Sequence, residues 1–353
     1  MSQLALAEIL PRENAHAAGL VQATDGAYVI AGRGFGPDGK SAAVASRILP
    51  GGSIAWERTY DSAFSVFFAA IAQVGDGNFV ATGSFFYSEY SGDEYIWVVK
   101  LDTDGNLLWE KTVGAGDQQS DGMDIVATRD GGFAVAGVVI EKGTGGVRTR
   151  VIKFDTDGKP QWDHQFDGGA AYSICQTRDG GYGLSGARNI AGSLYSNVYV
   201  LRLDQDGRKV WEKVYPEHAV YVLIDSGIIE TVDGGFALAA KSVVMKTDGY
   251  GNPVWAYQGD NLDLGTIAQL PDGTYAVGGG LIVNNFDHAY VAVLGPQGRE
   301  IIWDNIEIFY PSLLAKVIVN SERLVTAAGY GPSGVNQSKM FLAEYYPATT
   351  IAP

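Results

Sequence analysis

The feature that most constrains this chain is a pair of turns that keep returning. The first runs "TDGAYVIAG" (24–32), "GDGNFVATG" (75–83), "RDGGFAVAG" (129–137), "RDGGYGLSG" (178–186), "VDGGFALAA" (232–240) and "PDGTYAVGG" (271–279), with a degraded copy at "SERLVTAAG" (321–329). The second is "LDTDGNLLWEK" (101–111), repeated as "FDTDGKPQWDH" (154–164), "LDQDGRKVWEK" (203–213) and, loosened, "TDGYGNPVWAY" (247–257). Trp56, Trp109, Trp162, Trp211, Trp255 and Trp303 recur every 44 to 53 residues, with Trp97 outside that register. A fixed period of this length marks a repeat architecture and outranks local propensity in deciding the fold.

Each unit holds four short runs rich in Val, Ile, Phe and Tyr, bounded by Asp-Gly turns, as in "MDIVATR", "FAVAGVVIE", "RVIKFD" and "PQWDHQF". Such runs read as strands joined in hairpins. No stretch shows sustained helical periodicity with caps. Four strands per unit of about 40–50 residues describe a β-propeller blade. The seven turn markers predict an all-β, seven-bladed propeller over residues 1–353, with blades at about 16–60, 64–113, 117–166, 170–215, 219–258, 262–309 and 312–346. The last unit stops at its third strand, "KMFLAEYY" (339–346), while "QLALAEIL" (3–10) has no unit of its own. The N-terminal run is therefore expected to complete blade seven, which leaves no open edge in the ring.

From Leu4 to Tyr346 the pattern resembles bacterial and archaeal propeller repeats of the form "DGGY-VAG … WVVKLD-DGN--W-K", relatives of the tryptophan-docking repeats of quinoprotein propellers and of Asp-box turns. That resemblance implies the fold and an exported or cell-surface location. It implies no activity, because propellers host unrelated functions. A quinone cofactor is not expected. Quinoproteins place adjacent cysteines beside it, and this chain has only Cys175. The lone cysteine also excludes an internal disulfide and any CxxC site.

The Asp-rich second turn invites a calcium reading, which its spacing rejects. An EF-type loop needs a bidentate Glu at position 12. Counted from Asp102, Asp155 and Asp204, that position holds Val113, Phe166 and Tyr215. The alternative is a hairpin in which Asp accepts backbone N–H bonds and Gly takes a positive φ. The tryptophan then opens an outer strand and packs against the neighbouring blade, covering roughly 150–250 Å². The small residues of the first marker are expected where blades converge and volume is scarce.

With both repeated turns on one face, function is expected on the other, where second-to-third-strand loops and blade links vary. There lie His16, Arg33, Tyr90, Asp121, Arg148, Arg188, His218, Asp263 and His288, the candidate ligand-binding residues, with aromatics such as Phe64, Phe85 and Tyr195. Blade five has almost no such loop, "AAKSVV" (239–244), and a notch in the rim is expected there. His164, on an outer strand, reads as a solvated surface residue. No HExxH, G-x-S-x-G or dinucleotide-binding βαβ unit is present. A carboxylate pair such as Asp121 and Asp263 could serve glycosidic chemistry only at separations of about 5–10 Å.

A net charge of −15 repels phosphate backbones, so nucleic acid is not an expected partner. No apolar run reaches the roughly 18 residues of a membrane span, and the first residues carry no signal-peptide pattern. These readings give a monomeric binding propeller without cofactor or metal, recognising a glycan, a small polar molecule or a protein on its loop face. The alternative is an enzyme, a hydrolase or lyase, with its site in the loop-face funnel.

Overall fold

The structure, a computed structural model, describes residues 3–346 except 37, 62–64, 88–92, 115, 191–192, 194, 222–225, 260–261, 284–285, 299–300, 306–312, 321–324 and 335–336. These residues form seven four-stranded antiparallel sheets and no helix. Blade 1 consists of His16–Gln22, Tyr28–Phe35, Ser41–Ile48 and Ile54–Tyr60, hydrogen-bonded in that order. The first strands of blades 2 to 7 are Ser65–Gln73, Gln118–Ala127, Ala170–Gln176, Gly227–Glu230, Leu262–Gln269 and Leu313–Val319. Each contacts the first strands of both neighbouring blades, and the seventh contacts the first. The molecule is a seven-bladed β-propeller with these strands around its axis. In blade 7 the outermost strand is Gln3–Glu13, which runs antiparallel to Gln337–Tyr346, with Gln3 opposite Tyr346 and Glu13 opposite Lys339. It extends through Pro11 and Arg12, which in sequence read as a blade link.

The second turn is a hairpin. Asp102 Oδ1 accepts from the backbone N–H groups of Asp104 and Asn106 at 2.9 and 2.8 Å, and Asp155, Asp204 and Asp248 repeat this. No cluster of His, Cys, Asp and Glu able to hold a metal occurs among the described residues. The turn's glycine has a second duty. A Cβ on Gly105 would lie 3.0 Å from Trp56, one on Gly158 2.6 Å from Trp109, and one on Gly298 2.5 Å from Trp255. Each tryptophan thus packs against the glycine of the third-to-fourth-strand turn of the following blade, leaving no room for a Cβ there. Trp56 Nε1 also donates to the Thr103 carbonyl at 3.0 Å, and Tyr60 Oη to that of Gly105 at 2.8 Å. His164 joins the same seam. Its ring stacks 5.4 Å from Trp162 and Nε2 lies 3.3 Å from the Asp206 carbonyl, so it is not a free surface side chain.

The glycine closing the first marker has a different cause from scarce volume at the convergence of blades. In six blades the innermost strand carries a β-bulge at one position, which puts Ala18, Ala69, Met123, Tyr172, Gly265 or Ala315 outside the ladder register. The bulge residue's N-terminal neighbour faces Gly32, Gly83, Gly137, Gly186, Gly279 or Gly329, the last residue of the marker. A Cβ on Gly32, Gly83 or Gly186 would overlap a carbonyl oxygen of the bulged strand. The glycine therefore makes room for the distorted ladder. Blade 5 has Ala240 there, and its short inner strand starts past this point.

A third repeat ties the first turn to the third strand. Lys100, Lys153, Arg202 and Lys246 reach Asp76, Asp130, Asp179 and Asp233 at 2.5–2.9 Å, and Arg47 meets Asp25 in the same way. Lys100 Nζ also donates 2.7 Å to the Thr156 carbonyl of the next blade. Arg47 likewise donates to the Thr103 carbonyl across the seam, whereas Lys153 and Arg202 bond carbonyls of their own blades, so these nearly buried cations are paired rather than left alone.

Candidate functional site

The seven innermost strands converge on an axial cavity of about 350 Å³. Every blade contributes to its wall, six of them the bulge residue and blade 5 Ser226, just ahead of its first strand. The bulges are what build it. A residue at the bulge is displaced from the ladder register and lines the bore, although Tyr172 and Ala315 also pack against blade-to-blade cores.

One position beyond the bulge, the blades clasp each other. Asp124 Oδ2 accepts from Ser173 Oγ at 2.8 Å and from the Ile174 backbone N–H at 3.0 Å, both on the following blade. Thr266 Oγ1 accepts from the Val317 backbone N–H at 3.0 Å in the same way. Gly19 and Gly227 hold the equivalent place elsewhere, where a Cβ would lie 2.9 Å from Ile71 N and 3.1 Å from Ile267 N. At this height a side-chain oxygen of blade 3 or 6 caps a backbone N–H of the next blade, while in blades 1 and 5 glycine lets the neighbouring strand come close. Lys316 occupies the position in blade 7, its Nζ 4.0 Å from Asp124 Oδ1.

The mouth of the cavity belongs to blades 7 and 1. His16 and Arg33 face each other across the first two strands of blade 1. The His16 ring stacks on Tyr330 with centroids 4.3 Å apart and planes 1° from parallel. Partial burial of the imidazole and the adjacent guanidinium both hold His16 below its ordinary pKa, so it is neutral at pH 7. Arg33 is exposed, and its Nε donates 2.9 Å to Ser41 Oγ.

The other candidates lie elsewhere. Asp121 faces Glu94 and Ser84 across the blade 2–blade 3 seam, where Ser84 Oγ donates to it. Burial, then the contact with Asp121, pushes the Glu94 carboxyl well above the usual carboxylate range, against the pull of Ser84. Glu94 therefore keeps its proton at neutral pH. Arg148 is paired with Asp167 and Glu141 at 2.6 and 2.7 Å. Arg188 donates to the Gly168 carbonyl at 2.5 Å, meets Glu212 at 3.3 Å and lies over the Tyr199 ring. Both arginines are engaged in seams and rims. His218 sits in the outermost strand of blade 4, Lys209–Tyr221, within a bulge between Tyr215 and Ala219, and its Nδ1 is buried without a partner. Asp263 and His288 belong to blade 6, two strands apart. His16, His218 and His288 thus come from three blades and form no described metal group. Tyr90, with Phe64, lies outside the described residues. At the short blade 5 hairpin, Lys241 takes a positive φ of 51° and its backbone exchanges two hydrogen bonds with Leu264 of blade 6, at 2.7 and 2.9 Å. The expected notch is bridged.

Of the nine candidates, His16 and Arg33 line the cavity. Asp124, Lys316 and Tyr330 escaped the sequence reading because they sit in strands that repeat chemistry elsewhere in the ring. The available signal was a charged residue breaking a position otherwise held by Gly, Ala, Ser or Thr.

No family model matches the chain, and no curated protein matches it. Solved structures do. The Dos1 propeller aligns with a TM-score of 0.55 at 11% identity, over 92% of this chain and 77% of that one. Sqt1 from Chaetomium thermophilum gives 0.55 at 11% identity, over 93% and 82%. A puromycin hydrolase mutant complexed with PGG gives 0.58 at 14% identity, over 90% of this chain and half of the hydrolase. At these identities the likeness speaks to architecture alone.

Proposed function

We propose that this propeller is a binding module that takes a small polar molecule into the mouth of its axial cavity. The observation that carries the reading is the convergence of all seven inner strands on one space, with Arg33, His16, Asp124 and Lys316 in its wall. A concave, largely apolar site with a few placed polar groups is the usual form of a small-ligand pocket, and about 350 Å³ lies at the small end of the range. The reading is tested by a thermal-shift panel of small metabolites against the wild type and Ala69→Trp, which fills the bore from a bulge position. A ligand should raise the melting temperature of the first and leave the second unmoved. Equal shifts in both would place the ligand elsewhere.

A second reading, catalysis, is favoured by one observation, the carboxyl pair of Glu94 and Asp121, one member of which keeps its proton at neutral pH as a general acid does. The pair lies outside the cavity wall, and its carboxyls are in hydrogen-bond contact, closer than the roughly 5–10 Å that glycosidic acid/base pairs require. Binding is therefore preferred.

A further inference from the structure

The charge distribution around the axis narrows the ligand further. The chain carries −15 overall, so its outer surface repels anions. Inside, the balance reverses. The charged residues of the cavity wall are Arg33, Lys316 and Asp124. Asp124 is already committed. Besides the two bonds to blade 4, its Oδ1 accepts from the Ile125 backbone N–H at 3.0 Å, so three donors offset its charge. Lys316 stands 4.0 Å from that carboxylate, beyond hydrogen-bond length, with about a third of its side chain exposed (32%). Arg33 commits Nε to Ser41, and its two terminal nitrogens have no partner among the described residues. Two cations with unspent donors therefore face a space whose single anion is neutralised by its own clasp.

The rest of the wall is apolar and flat-sided. Phe67, Met123 and Tyr172 project into it, and the His16–Tyr330 stack forms one side of the mouth. The neutral state of His16 keeps that stack from adding a third cation. Ala17, Ala18, Ala69 and Ala315 leave the room between these rings open. Aromatic faces favour a planar guest in offset or edge-on contact.

Resting on the axial site proposed above, we infer that the ligand is a small organic anion built on a planar ring, its carboxylate or phosphate taken by Arg33 and Lys316 and its ring by the aromatic wall. Guanidinium and ammonium donors to a carboxylate make charge-assisted bonds stronger than neutral ones.

The test is isothermal titration with benzoate, phenyl phosphate, benzamide, benzylamine and acetate. Benzoate or phenyl phosphate should bind, and whichever binds more tightly identifies the head group. Benzamide, of the same shape without the charge, should bind at least tenfold more weakly, and benzylamine not at all. Acetate should also be at least tenfold weaker, because it lacks the ring. Lys316→Met and Arg33→Gln should each weaken the preferred anion at least tenfold while leaving the melting temperature of the free protein within about two degrees. Binding of benzamide or benzylamine in preference to the anions would overturn the inference yet leave the axial site standing. Acetate binding as well as benzoate would remove the ring from it. No heat from any probe, together with metabolite shifts unaffected by Ala69→Trp, would remove the axial site and the inference with it.

Discussion

Gly105 provides a quantitative test of why the second turn repeats. Its φ is +79°, and an added Cβ would lie 3.0 Å from two ring carbons of Trp56 and from Arg58 Cγ. Gly105→Ala therefore meets two costs. Holding alanine in the left-handed region costs about 1–2 kcal/mol, and forcing a methyl against a packed ring adds about 1–3 kcal/mol. The expected total is about 2–5 kcal/mol. Gly77 supplies the control. It has a φ of +84° in another Asp-Gly turn, but nothing lies within 4 Å of its would-be Cβ, so Gly77→Ala should show only the first cost. Trp56 is 7% exposed, and Trp56→Ala should cost about 3–5 kcal/mol. With the indole gone, the added methyl has space, and Gly105→Ala should fall to about 1–2 kcal/mol in that background. The cycle predicts a coupling of about 1–3 kcal/mol. Guanidinium unfolding followed by far-UV circular dichroism measures all five proteins, independently of the fluorescence that the substitution removes. An identical cost for Gly105→Ala with and without the indole would refute the docking role and leave the glycine as a backbone requirement.

Three further outcomes are expected. Deleting residues 1–13 uncovers the edge of Gln337–Tyr346 and should lower the melting temperature and produce association detectable by light scattering; a stable monomer would show that the added strand is dispensable. Asp233 is held at about 2, since Lys246 and Thr231 outweigh its partial burial, so its contribution is present above the usual aspartate range and is lost as pH falls from about 4 towards 2. Asp233→Asn should be less stable than wild type at pH 7 and should approach it at pH 2; parallel stability curves would refute the pairing. Glu94, kept protonated in the fold, binds a proton that the unfolded chain releases above about pH 4, so its effect on stability worsens as pH rises through neutrality. Glu94→Gln should therefore raise the melting temperature at pH 8 and leave it nearly unchanged at pH 4; the reverse order would show that the pair is ionised on both sides.

How much could be read beforehand divides along physical lines. Blade number and strand order follow from Asp-Gly turns and alternating Val, Ile and Phe runs, which are local signals repeated often enough to be certain in aggregate. The placement of Trp56 against a neighbouring blade was also legible, since a large aromatic at a fixed period needs a fixed partner. Its partner, the turn glycine, was not, because nothing in "TDGN" says what lies above it. The burial of the series is uneven as well. Trp109 is only half-buried, so the loss of about 3–5 kcal/mol reserved for a fully covered ring belongs to Trp56. The site was hardest to read. Arg148 and Arg188 looked available because linear spacing conceals Asp167 and Glu212, which engage them. Lys316 looked like one more strand residue, because its meaning depends on Asp124, far away in sequence and across the bore.

The bulges of the inner strands have an evolutionary consequence. Tyr172 and Ala315 also pack against blade-to-blade cores, but Ala18, Ala69, Met123 and Gly265 stand outside both the ladder register and those cores, so exchanging one of these four alters the lumen while the scaffold around it keeps its bonds. Selection can retune such a ring one tile at a time, with little penalty in foldability for each trial. A descendant with a new specificity would then differ first at these places, while its turns stayed almost unaltered.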